Sequence, residues 1–194
     1  MNKRYYALVT DSLKYSLTKV LPGIVGLISV ILIIKIIGTE EYGKYSILYS
    51  FVLTLVAFCS GWLNQSLLRY YPGNSDITKI ENQAIFGLLI SAISGIFILF
   101  VIYYIKGGSF FQYTSVYLVI FFFIAVLLYQ FQISIYRSQI RPNMVIIVSS
   151  IQSILSLIIP LFFIYFFDSE VKYIIFGLTI AYLIPTIKNL FLKT

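Results

Sequence analysis

Apolar residues run along this chain in long blocks rather than in alternation, and six blocks approach the length of a bilayer-crossing helix. About 20 helical residues cross roughly 30 Å of hydrocarbon. The blocks fall at 20–37, 45–68, 84–105, 116–136, 144–167 and 171–192. Lys188 and Asn189 interrupt the last one near its end. Continuous apolar runs of this length satisfy their backbone in lipid as helices, so the pattern predicts an all-α, polytopic transmembrane bundle. The intervening segments are short, which predicts one six-span, up-and-down lobe over residues 1–194 with no extramembrane domain. Ahead of the first block lies a leader, residues 1–19. In it Tyr5, Val9, Leu13 and Leu17 recur every four positions, the spacing of an amphipathic helix on the inner leaflet. A short polar leader with chance spacing is the other reading. The run from Val20 lacks a small-x-small cleavage signal and is expected to be retained as a span.

Composition strengthens this picture. Sixty per cent of residues are apolar, 11% are charged and mean hydropathy is +0.95. Water-solvated domains carry about a quarter charged residues, so lipid is the expected solvent. The net charge of +7 does not mark a nucleic-acid binder, because Lys and Arg fall in short segments between the apolar runs. With a cytoplasmic N-terminus, the inner segments hold Lys3, Arg4, Lys14, Lys19, Arg69, Lys79, Arg137, Arg141, Lys188 and Lys193. The outer ones hold Lys35, Lys44, Lys106 and Lys172. Ten cations against four predict N-in and C-in, and place Glu40, Glu41, Asp168 and Glu170 outside. Tyr42, Tyr45, Tyr103, Tyr104, Tyr136 and Tyr173 fall where an interfacial aromatic belt is expected.

Polar residues within spans usually face other helices or a wet cavity. Ser46, Ser50, Thr54, Ala57, Gly61, Asn64 and Gln65 share one face of the second span. Gln83, Gly87, Ser91 and Gly95 repeat the pattern in the third. Gln130, Ser134 and Arg137 share a face of the fourth span, and Ser149, Gln152, Ser153 and Ser156 one of the fifth. For Gly61, Gly87 and Gly95, close helix packing is the expected role. For the Asn and Gln positions two readings stand, interhelical hydrogen bonding or a cavity lining. Asn64, Gln65, Gln130, Ser134, Ser149 and Gln152 fall in the cytoplasmic half, which suggests a vestibule open to the cytoplasm. Lys35 lies near the outer end of its span, where snorkelling is the expected behaviour. Arg69 and Arg137 close the second and fourth spans, as the positive-inside rule requires; receiving a phosphate or pyrophosphate is the alternative. Pro22, Pro160 and Pro185 lie within spans and are expected to bend helices.

The inventory of reactive groups is thin. The chain has no histidine and one cysteine, Cys59, so no internal disulfide, zinc site or His-based catalytic set is available. No Asp or Glu lies deep in a span, which argues against a cation-coupled pump. No enzyme activity, metal or cofactor is expected.

Residues 35–43, KIIGTEEYG, place a basic residue, a glycine and a Tyr-Gly pair at Lys35, Gly38, Tyr42 and Gly43, with Gly61 and Arg69 closing the next span. This resembles the first hairpin of the Wzx-like O-antigen and capsule flippases, the polysaccharide branch of the multidrug/oligosaccharidyl-lipid/polysaccharide superfamily. The resemblance implies movement of a lipid-linked oligosaccharide from the inner to the outer leaflet of a bacterial cytoplasmic membrane, by alternating access around a cationic cavity. Lys35, Arg69 and Arg137 are the positions able to contribute charge, and Asn64, Gln65, Gln130, Ser134 and Gln152 complete the candidate substrate-binding set. The superfamily's two-lobe architecture implies that six spans make one lobe, partnered by a second lobe or by another copy. The alternative function is a non-transporting assembly subunit of an envelope polysaccharide complex.

Overall fold

The structure is a computed structural model that describes residues 2–72, 77–105, 114–167 and 170–190. Five helices form: α1 (Asn2–Tyr70), α2 (Ile77–Ile105), α3 (Val116–Ser138), α4 (Pro142–Phe166) and α5 (Val171–Leu190). No strand occurs among the described residues. Four stretches are long and apolar enough to cross a membrane, namely Pro22–Tyr70, Thr78–Ile105, Val116–Ser138 and Pro142–Phe166; Val171–Ile187 is a shorter apolar helix. The chain is a multi-pass membrane protein.

Five helices replace the six expected because the first two apolar blocks lie within α1. Their boundary survives as one residue: Gly38, at φ 84 and ψ 166, is the non-helical position inside α1. That conformation is essentially restricted to glycine, because a Cβ would collide with the backbone. The backbone of the leader is helical and continuous with α1, while the side chains of Tyr5, Val9, Leu13 and Leu17 lie outside the described residues. So do the side chain of Lys188 and residues Lys106, Asp168 and Lys193.

Contacts between helices fix their directions. Tyr71 bonds Glu81, and Gly87 abuts Leu63, so α2 runs antiparallel to the second half of α1. Tyr49 stacks on Phe122, and Gln139 bonds Tyr71, so α3 runs parallel to it. Pro160 meets Gly177, Phe163 meets Phe176 and Phe167 meets Tyr173, so α4 and α5 are antiparallel.

The core forms around α3, where Phe122, Phe123, Ala125 and Val126 lose all solvent exposure. Small residues let the neighbours approach. Ala84, Gly87, Ser91 and Gly95 form the buried edge of α2, and a Cβ at Gly95 would overlap the Phe123 ring. The opposite face of α2, with Ile85, Phe86, Leu89, Ile93 and Phe97, is exposed, as a lipid-contacting surface should be.

Helix ends follow local chemistry. Ser115 caps α3, its Oγ accepting from the Leu118 amide at 3.3 Å. At the other end the Ile140 amide donates to the Arg137 carbonyl (3.1 Å) and the Arg141 amide to that of Tyr136 (3.0 Å). These are the paired bonds of a Schellman motif, and the left-handed position that glycine normally fills is held by Ile140 at φ 54. For a residue with a Cβ this costs about 1–2 kcal/mol. Pro142 then opens α4, where its missing N–H is harmless.

Candidate functional site

The second half of α1 carries two opposed faces. Tyr45, Leu48, Val52, Leu55, Val56, Cys59, Leu63 and Leu67 point into the core. The stripe of Ser50, Thr54, Ala57 and Gln65 is exposed, with Ser46, Gly61 and Asn64 half-buried at its edge. Ser46, Ser50 and Thr54 line a shallow groove of about 460 Å³ together with Ile47 and Phe51. A Cβ at Gly61 would meet no atom within 4 Å, in contrast with Gly87 and Gly95.

Along this stripe the polar groups are only partly satisfied. Thr54 Oγ1 donates to the Ser50 carbonyl at 2.9 Å. Asn64 Nδ2 donates to Ser60 Oγ at 3.5 Å, but Asn64 Oδ1 is buried with no hydrogen-bond partner among the described residues. An unmet buried acceptor costs about 1–3 kcal/mol.

The remaining candidate residues differ in exposure, and none lines the groove at Ser46, Ser50 and Thr54. Lys35, Arg69 and Arg137 are exposed, Gln130 is half-buried, and Ser134 and Gln152 are buried. The Arg69 guanidinium lies 5.5 Å from the centre of the Tyr70 ring. On α4, Ser149 and Ser153 face inward and donate to their own helix carbonyls at Ile146 and Ser149. Bonds of that kind satisfy a hydroxyl without any external ligand. No group of three His, Cys, Asp or Glu side chains among the described residues is placed to hold a metal.

Three features lay beyond the sequence pattern. First, an aromatic chain runs through the core. Tyr45 packs on Tyr49, Tyr49 on Phe122, and both Phe122 and Tyr129 on Tyr182. The Tyr49 and Tyr182 hydroxyls lie 3.1 Å apart. Tyr45, read as a belt residue, is therefore a core residue at 9% exposure, whereas Tyr103 and Tyr104 are exposed. The spacing of Tyr42, Tyr45 and Tyr49 carried the signal, since those positions share a helix face.

Second, Tyr71 ties three helix ends together. Its hydroxyl donates to Glu81 Oε1 at 3.3 Å and accepts from Gln139 Nε2 at 2.8 Å. Arg69, Lys79 and Arg137 lie two residues from the members of this cluster, and Arg141 lies two beyond Gln139. Four cations therefore share one end of the bundle. Third, Gly177 brings α5 against the backbone of α4 at Pro160.

A family model described as polysaccharide biosynthesis protein matches residues 8–192. The chain belongs to that family. The match covers nearly all of the chain and agrees with the resemblance carried by Lys35, Gly38, Tyr42 and Gly43. Neither the curated proteins nor the solved structures compared with this member of the polysaccharide biosynthesis family include a match.

Proposed function

We propose that this chain is one lobe of a flippase that carries a lipid-linked oligosaccharide across a bacterial cytoplasmic membrane. The observation that carries the reading is the orientation of the polar stripe on α1. Ser50, Thr54 and Gln65 face away from the core, onto a surface that lipid would otherwise cover. The Thr54 hydroxyl already bonds the Ser50 carbonyl, so the Gln65 amide above all calls there for water or for a polar partner. A cavity between this lobe and a second one supplies both, and Asn64 and Gln65 then meet the sugar hydroxyls.

The six-span reading fits this role. Pro22–Tyr70 holds 49 residues; unbroken, it would extend about 73 Å at 1.5 Å per residue, more than twice the hydrocarbon thickness. A break at Gly38 divides it into two spans, and the cation count sets N-in and C-in. Arg69 and Arg137 then stand at the cytoplasmic end, suited to the phosphates of the carrier lipid, with Lys35 near the outer end. Gln130, Ser134 and Gln152 are more buried than these cations. The reading assigns no enzymatic step and no cofactor.

The test is complementation of a flippase-deficient strain by this chain, alone and with a second six-span lobe. Rescue in either setting supports transport; failure with every supplied lobe counts against it. The second reading, a non-transporting assembly subunit, draws on the same stripe. Gly61 with open space around it suits a helix–helix contact as well as a cavity wall.

A further inference from the structure

The turn between α3 and α4 joins two helices that are each long and apolar enough to cross a membrane, so it lies at a bilayer face. Ile140 occupies its left-handed position, where glycine would be free of strain. The isoleucine side chain is 66% exposed. The turn itself is anchored, by Gln139 to the Tyr71 hydroxyl on one side and by Pro142 at the start of α4 on the other. Arg137 and Arg141 flank the isoleucine, both exposed. Neither pairs with a carboxylate among the described residues, where the ion pairs are those of Lys44 and Lys172.

An exposed apolar residue in a turn that also carries two exposed arginines matches a phospholipid at the boundary between headgroup and chains. Guanidinium groups take phosphate oxygens in a bidentate fork, and an isoleucine gains by leaving water for hydrocarbon. A free anion would engage the arginines but leave the strained, exposed isoleucine without a role. We propose that Arg137, Ile140 and Arg141 form a docking site for a negatively charged phospholipid of the surrounding bilayer. The arginines hold its phosphate, and Ile140 inserts beside its chains. This rests on the membrane location alone, not on transport; Arg137 also enters the transport reading, so the test reads lipid binding.

Native mass spectrometry of the detergent-purified chain provides that test, with phosphatidylglycerol, phosphatidylcholine and inorganic pyrophosphate as separate probes. Wild type should retain phosphatidylglycerol over phosphatidylcholine. The double variant R137Q/R141Q should weaken phosphatidylglycerol binding by about tenfold or more. Ile140→Gly should weaken it about fivefold while raising the melting temperature, because the turn strain is relieved; loss of binding then cannot be a folding defect. Unchanged phosphatidylglycerol affinity in Ile140→Gly would overturn the proposal. So would equal retention of phosphatidylcholine, or equal competition by pyrophosphate, which would leave an anion site only.

Discussion

Gly177 and Pro160 bring the backbones of two antiparallel helices together: a Cβ at residue 177 would sit 2.8 Å from Pro160 Cα and 2.9 Å from its ring nitrogen. Backbone cannot yield as the end of a flexible side chain can, so any larger residue at 177 must push α5 away from α4. Overpacking of this kind costs about 1–3 kcal/mol. Gly177→Ala is expected to lower the melting temperature in detergent, and Gly177→Val to lower it further. Gly61→Ala, at an open helical position, should keep it or raise it slightly. Equal stability of all three would disprove the close approach.

The Tyr71 cluster yields a second expectation. Tyr71→Phe removes both hydroxyl bonds and leaves the Gln139 amide without its partner, since Gln139 Oε1 is already unpaired among the described residues. The loss should be about 1–3 kcal/mol. A double-mutant cycle with Gln139→Leu should return a coupling above about 0.5 kcal/mol. Strict additivity would mean that the two residues do not act together.

Gly38 sets a third. Replacing it with alanine forces a Cβ into a conformation that costs of order 1–3 kcal/mol. The variant should be recovered in lower yield and melt earlier than wild type, and Gly43→Ala, in open space, serves as the comparison. Parity between the two would place the break in α1 elsewhere.

Charge near that break responds to pH. Lys44 Nζ lies 2.9 Å from Glu40 Oε1 and 2.6 Å from Glu41 Oε1. The hydrogen bond from Lys44 holds the Glu40 carboxyl below its ordinary pKa of 4.5, and the two carboxylates hold the Lys44 ammonium above its usual range. A depressed carboxyl contributes stability that is present above its unfolded pKa and lost as pH falls through the folded one. Lys44→Gln should therefore shift the Glu40 titration upward, read by NMR of glutamate-labelled protein. Because Glu40 is exposed, the effect should also shrink in high salt. An unmoved titration would separate the two residues.

Much of the helical framework could be read from the blocks of apolar residues, because helix length and hydropathy are local properties. Gly38 as a boundary was legible too, from its place between two apolar runs. What escaped was set by which helix faces meet. Gln65 and Gln152 look alike in sequence, each a glutamine on a polar stripe of an apolar helix, yet the first is exposed and the second buried. The difference lies in which faces are covered: α4 packs mainly between α5 and α1, while the stripe of α1 that carries Gln65 meets no neighbour among the described residues. Tyr45 escaped for the same reason, since a tyrosine near a span end suits the membrane interface until it is seen to be buried with the Tyr42 and Tyr49 rings packed on it. Ile140 carried no signal, because isoleucine is among the residues least expected at a positive φ.

The central claim is that the outward stripe of α1 meets water at membrane depth. Single cysteines at positions 54 and 65, placed in a Cys59→Ala background and probed in intact membranes with a charged maleimide, test it most directly. The account predicts labelling at both positions and none at Ile93→Cys or Phe97→Cys on the lipid-facing side of α2. Silence at 54 and 65, matching that at 93 and 97, would contradict it and leave the stripe as a dry contact between helices.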